Sequence, residues 1–316
     1  MEDAVTLEHL VKQKADLEAK DETGATPLHI AATQCKVETV RWLIMQGADI
    51  KARDTEGFSS LTWACIKGHS QIVTMLLNGQ ADINEVTESS GKTPLALCAE
   101  RGNFDCVLEL LGRRAKVEAT SSDGSTALMS AAHQGETQVV AHLLEKQSLT
   151  NLVDNAGWTP LMYAVNAPLP PSSTGGEEAE KKVTIDGIMG RKTTTELMLL
   201  HGADVNAQTS DGLTPLIIAS GRDRPTTVKR LLENRALVNL TTAKGQSALL
   251  MAAAHDLPQV VRALILAGAE VNHANGKNDT ALSLAEKYGH TQIVELLKKA
   301  GAVEPKGKKG KKGKKK

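Results

Sequence analysis

The chain is poor in aromatic side chains: three Trp, two Tyr and two Phe, 2% of 316 residues. A buried core therefore has to be assembled from Ala, Leu, Val and Ile. The apolar share of 41% is ample for one and excludes wholesale disorder. Cysteine is scarce as well. Cys35, Cys65, Cys98 and Cys106 are too few and too scattered for a disulfide framework in a chain this long. A reducing compartment is expected, the cytoplasm first and the nucleus as the alternative. No apolar run reaches the ~18 residues that mark a membrane span, so none is expected. The N-terminus, MEDAVTLEHLVKQ, starts acidic and lacks an unbroken apolar segment, and so does not read as a secretory signal.

Net charge is missing only as a sum. Lys+Arg and Asp+Glu both number 37, but residues 305–316 read PKGKKGKKGKKK and hold eight lysines with no acid. Without them 29 basic residues face 37 acidic ones, so an acidic body carries a basic tail. Glycines interrupt the lysines, which predicts a flexible polycation and no amphipathic helix. The tail residues Lys306, Lys308, Lys309, Lys311, Lys312, Lys314, Lys315 and Lys316 form a candidate polyanion-binding segment. Without Arg or aromatics it can neither read bases bidentately nor stack on them. What remains is salt-sensitive attraction to RNA or a ribosome, to an acidic protein tail or to anionic lipid. An import signal and a purely solubilising end stand beside these.

A period of about 33 residues organises the rest, a length typical of solenoid arrays. The segment ETGATPLHIAATQCKVETVRWLIMQGADIKA, from Glu22, recurs in weakened form. Its markers Gly24, Thr26, Leu28, Ala31, Val40 and Leu43 return as Gly57, Ser59, Leu61, Ala64, Val73 and Leu76, and then as Gly91, Thr93, Leu95, Cys98, Val107 and Leu110. Later copies carry Gly124–Leu143, GWTPLMYAV from 157, DGLTPLIIAS from 211, KGQSALLMAAA from 244 and NDTALSLAEKYGH from 278. Thr26 can cap a helix, with Pro27 at its first position where a missing N–H costs nothing. Leu28, Ala31 and Ala32 then share one face, the alanines letting neighbouring helices approach closely. Val40, Leu43 and Ile44 add a second helix to the same core. One such unit cannot bury its apolar face alone and needs its neighbours.

These residues resemble the ankyrin repeat, over about 1–304. The resemblance implies an all-α fold, an α-solenoid of paired antiparallel helices with β-turn tips. The expected organisation is an N-terminal half-repeat at 1–20, eight repeats over 21–304 and the lysine tail at 305–316. The fifth copy, 154–208, is 55 residues long and holds an insertion near 167–189, APLPPSSTGGEEAEKKVTIDGIM. Its prolines and charges oppose regular helix, and it reads as a tolerated surface loop or a docking loop. Cys35 stands where the repeat normally ends its first helix with Gly. The resemblance also marks Asn84, Asn206 and Asn272 as similar to asparagines that undergo hydroxylation.

Signals for chemistry are weak. Ser90-Gly91-Lys92-Thr93 looks like the end of a phosphate loop, but Val86 stands where the motif needs Gly. The nine histidines form no HxxxH or HExxH, and no CxxC accompanies Cys98 or Cys106, so no metal and no cofactor is expected. With no GxSxG element either, no catalytic residue is assigned and the chain reads as a non-enzyme.

The resemblance places partners on the concave surface made by turn tips and first helices. There, Phe58, Ile66, Arg101, Arg113, Trp158 and Leu213 are the candidate partner-binding residues. Large apolar groups at such positions suit interface anchors, and the arginines suit charge selection. Phe58 and Trp158 occupy equivalent places three repeats apart, roughly 30 Å if repeats stack at about 10 Å. Either they anchor an extended partner or they fold onto their neighbours and complete the core. Trp42, Trp63 and Tyr163 fall at packing positions. The leading expectation is a protein-binding scaffold or adaptor, and the alternative is an RNA- or ribosome-associated factor held by its tail.

Overall fold

The computed structural model describes residues 16–168 and 193–303. Sixteen helices lie in them: α1 (Pro27–Thr33), α2 (Val37–Met45), α3 (Ser60–Lys67), α4 (Ser70–Asn78), α5 (Pro94–Arg101), α6 (Phe104–Gly112), α7 (Ala127–Gln134), α8 (Thr137–Glu145), α9 (Pro160–Asn166), α10 (Thr194–Leu200), α11 (Pro215–Ser220), α12 (Pro225–Glu233), α13 (Ala248–Ala254), α14 (Pro258–Leu266), α15 (Ala281–Tyr288) and α16 (Thr291–Lys299). Odd and even helices pack as pairs, α1 with α2 through α15 with α16. The described residues divide into two compact units, one running up to Ala203 and the other from Asp204 onward. Most of the insertion near 167–189 lies outside the described residues, as do most of the half-repeat and the lysine tail.

The local code repeats. Each first helix begins after a Ser or Thr in extended conformation. Ser59, Thr93, Thr126 and Thr159 each accept the backbone N–H three residues on, at 3.1–3.3 Å. Pro27, Pro94, Pro160 and Pro215 occupy the first helical position. Gly68, Gly102, Gly135 and Gly289 then end α3, α5, α7 and α15 with φ of +68 to +79°, the left-handed turn that glycine adopts without steric cost. Cys35 takes the equivalent place after α1 and is itself left-handed, φ +60°.

The core follows the same register. Leu61, Ala64 and Cys65 of α3 and Val73 and Leu76 of α4 are fully buried, and Leu128, Ala131, Ala132, Val140 and Leu143 repeat the pattern in α7 and α8. In the first unit the odd helices α1, α3, α5, α7 and α9 stack as one row and the even helices α2 to α10 as another. The second unit stacks α11, α13 and α15 against α12, α14 and α16. Each layer is therefore a helix-turn-helix whose apolar stripe is closed by the next layer, the arrangement of an α-solenoid.

Polar side chains stitch layers together. His69 Nε2–H donates to the Thr33 carbonyl at 3.1 Å, and His290 Nδ1–H to that of Ala253 at 2.9 Å. Asn84 accepts the Lys116 N–H, Asn206 that of Leu237 and Asn272 that of Val303, each at 2.8 Å. Along the tips, Thr55 N–H reaches the Thr23 carbonyl at 3.0 Å and Asn155 N–H that of Asp123 at 2.9 Å.

Candidate functional site

The tips precede the odd helices, and in four of them a single Asp or Asn side chain organises the turn, while Thr87, Thr209 and Thr242 use a hydroxyl. Asp54 Oδ1 accepts the N–H groups of Glu56 and Phe58 at 3.0 and 2.9 Å; Asp154 Oδ1 accepts those of Ala156 and Trp158 at 2.9 and 2.8 Å. Asp21 does the same for Thr23 and Ala25, and Asn275 for Lys277 and Asp279. Such side chains bond their own backbone and so fix a turn with few residues.

In two layers the second carboxylate oxygen does something more. Asp54 Oδ2 accepts the Trp63 indole Nε1–H at 2.7 Å, and Asp154 Oδ2 accepts the Tyr163 hydroxyl at 2.6 Å. Each bond ties the turn tip to the following odd helix. The aromatic at the tip then lies against the aromatic it ties down: Phe58 and Trp63 have centroids 5.2 Å apart at 47°, Trp158 and Tyr163 5.3 Å apart at 49°. Such tilted pairs are favourable beyond their area of contact. Burial, and next the bond to Asp154, hold the Tyr163 phenol above the usual tyrosine range, so it is neutral and donating. His133 meets the Tyr163 ring edge-on at 5.5 Å.

These twin stations bear on both readings of Phe58 and Trp158. All four aromatic residues are half-buried. Each tip aromatic packs on a ring of its own layer and keeps part of its surface in solvent. Trp63 and Tyr163, expected at packing positions, lie on the open side of the odd-helix row, because a bond to a tip aspartate is available only there. Trp42 of α2 is also half-buried. The pairing has a sequence signal that repeat markers alone do not pick out: Asp, an aromatic four residues on and another five further, as Asp54-Phe58-Trp63 and Asp154-Trp158-Tyr163.

The remaining candidates are placed unequally. Ile66, half-buried in α3, and Arg101, exposed in the last turn of α5, belong to the odd-helix row that bears the stations. Arg113 does not. It caps α6 in the even row, where its Nε lies 2.6 Å from Glu109 Oε1. Leu213 sits half-buried at a tip of the second unit, its N–H donated to Thr209 Oγ1 at 3.1 Å. The eight tail lysines fall outside the described residues.

Two hollows on this face are lined by described residues. One, of about 500 Å³, opens between the first two layers and is lined by Asp21, Glu22, Ile30, Asp54, Glu56 and Trp63 among others. A smaller one, of about 210 Å³, includes Lys92, Glu100, Asp123, Met129, His133 and Tyr163. His29 borders the larger hollow. Its Nδ1 accepts the Thr26 N–H at 3.2 Å and its Nε2–H donates to the Phe58 carbonyl at 3.1 Å, which requires the neutral ring; burial lowers its pKa to match. Cys65, Cys98 and Cys106 are buried thiols. Among the described residues no three His, Cys, Asp or Glu side chains gather as a metal site, and no helix is long and apolar enough to cross a membrane.

Comparison with known families matches a model of ankyrin repeats, built on three copies, at residues 2–87, 45–121, 95–169 and 188–275. No curated protein matches the chain.

Proposed function

Because the chain belongs to the ankyrin-repeat family, whose repeats form protein–protein interaction modules, we propose that it is a non-catalytic scaffold or adaptor gripping a protein partner along the tips and odd helices of its first unit. The observation that carries this reading is the pair of equivalent aromatic stations, Phe58–Trp63 and Trp158–Tyr163, on one row of helices. Trp63 and Tyr163 are held by a carboxylate and the tip rings pack against them, so these side chains lose little rotamer freedom when a partner covers them and burial of their remaining surface converts efficiently into affinity. Arg101 adds an exposed cation to the same row. Arg113, at the end of an even-row helix, has a smaller part in this reading, and Leu213 belongs to a tip of the second unit.

The experiment is crosslinking of the tagged full chain in cells, identification of the crosslinked protein, and its reconstitution with wild type and with Phe58→Ala/Trp158→Ala. Circular dichroism checks that the double variant is folded. Loss of at least tenfold in affinity is expected; unchanged affinity in a folded variant refutes the reading.

The tail composition favours a second reading, association with RNA or a ribosome through eight lysines and no acid in residues 305–316. Gradient sedimentation with and without RNase separates the two, since only the second is RNase-sensitive and abolished by deleting 305–316.

A further inference from the structure

The larger hollow has a chemistry of its own. Its lining includes four carboxylate residues, Asp21, Glu22, Asp54 and Glu56, and no Lys or Arg. Asp54 is committed to the turn and to Trp63. The Thr23 hydroxyl and then the Ala25 N–H hold the Asp21 carboxyl below the usual range, which favours its anionic form. Glu22 and Glu56 are exposed at the rim, and among the described residues their carboxylates have no partner. The lining also has apolar surface: Ile30, 40% exposed although it sits in a helix, and the indole of Trp63. That indole already has an ammonium near its face, Lys67 Nζ at 6.0 Å from the ring centroid. Lys67 serves that ring as its cation, so an occupant's charged head belongs at the edge: an indole, an aliphatic shelf beside it and two carboxylates at the rim match one side-chain shape, an aliphatic stem ending in positive charge.

We infer that this hollow is a docking pocket for a lysine or arginine side chain of the protein partner, with the stem on Ile30 and Trp63 and the charged head between Glu22 and Glu56. The inference rests on the scaffold reading and gives that partner a basic segment at the first two layers. Charge complementarity sets the occupant: an acidic or purely apolar peptide would leave the rim carboxylates repelled or desolvated without a partner.

The test is a titration of the ¹⁵N-labelled full chain with a fluorescein-labelled peptide, acetyl-AAKAAKAA-amide, and with its lysine-acetylated form. The Trp63 indole N–H resonance, assigned by Trp63→Phe, should move saturably with the lysine peptide and stay in place with the acetylated one. Glu22→Gln/Glu56→Gln should weaken binding about threefold to tenfold, two surface ion pairs' worth. Ile30→Ser should weaken it at constant charge. Asp105→Asn/Glu38→Gln removes the same charge from the even-helix side and should leave affinity within twofold. Equal weakening by that control, or movement of the Trp158 resonance in place of Trp63, overturns the pocket. A chain ending at 304 tests the rival occupant: unchanged affinity supports a partner's side chain, while affinity raised more than threefold puts the chain's own tail there and overturns the inference. If the Phe58→Ala/Trp158→Ala variant loses the reconstituted partner and Glu22→Gln/Glu56→Gln keeps it, the scaffold stands and the pocket falls.

Discussion

Substitution of Asp54 separates the two tasks of its carboxylate. Asp54→Ala removes the acceptor for three donors: Glu56 N–H, Phe58 N–H and the Trp63 indole, at 3.0, 2.9 and 2.7 Å. Glu56 is exposed and its N–H rehydrates at little cost, whereas Phe58 and Trp63 are half-buried. Hydrogen bonds to a charged group contribute about 1.5–3 kcal/mol each, so two of them, discounted for partial exposure, give a loss of about 2–3 kcal/mol. Asp54→Asn should behave differently. Asn275 already closes a tip in this protein with one amide oxygen, accepting from Lys277 and Asp279 at 2.9 Å. An Asn at 54 can therefore keep the turn, but it turns an amide NH₂ toward the indole N–H and forfeits that bond alone, at about 1–1.5 kcal/mol. In a Trp63→Phe background the Asn cost should fall to near zero and the Ala cost to about 1–1.5 kcal/mol, a coupling of about 1–1.5 kcal/mol in both cases. Repeat arrays need not unfold in two states, so amide exchange at Phe58 is the appropriate readout, with Trp158 in the undisturbed station as internal reference. If Asn proves as costly as Ala, or if Trp63→Phe leaves the Asn cost unchanged, the division of labour assigned to the two carboxylate oxygens is wrong.

Other consequences follow from single groups. The His29 pKa is lowered, chiefly by burial, so the unfolded chain binds the proton more readily and stability should fall as pH drops below about 6.5. Urea midpoints at pH 7.5 and 5.5 for wild type and His29→Gln check this, the variant losing part of the dependence. The Tyr163 phenol is shifted the other way, by burial and then by Asp154, so its stabilisation is present below the ordinary tyrosine pKa and is lost as pH rises above about 10. Absorbance titration of wild type against Tyr163→Phe should show this residue ionising only above that range. Cys35→Gly removes a left-handed conformation costing about 1–2 kcal/mol and adds about 0.5–1 kcal/mol of backbone entropy, for a net gain of up to about 1.5 kcal/mol. A thermal midpoint raised by about 2–4 °C in the first unit's transition would agree, and a lowered one would not. Deleting 305–316 should abolish salt-sensitive retention on heparin and leave partner binding by the first unit intact.

The fold was legible in the sequence because each layer answers to rules of spacing within one repeat. A Ser or Thr cap, Leu at the second helical position, alanines at the fifth and sixth and a closing Gly each have a local reason, and their recurrence multiplies the evidence. Cys35 shows the logic under strain: the left-handed turn persists at φ +60° although its residue is unsuited to it, because the Lys36 N–H bonds back to the Ala31 carbonyl and His69 of the following layer holds the Thr33 carbonyl. The site was only half legible. Position alone marked Phe58 and Trp158 as unusual, but the same positional reasoning sent Trp63 and Tyr163 to the interior, since a large ring at a helical packing register usually belongs there. What decides otherwise is a polar end needing a partner: an indole N–H or phenol O–H goes to the side where an acceptor waits, and Asp54 and Asp154 supply one on the open side of the row. Arg113 shows the converse. A charge near a tip in sequence was drawn into the even-helix row, where Glu109, four residues earlier on the same helix, lies within reach. The difference between the layers is therefore carried by pairs of residues, five or nine positions apart, that no single repeat position reveals.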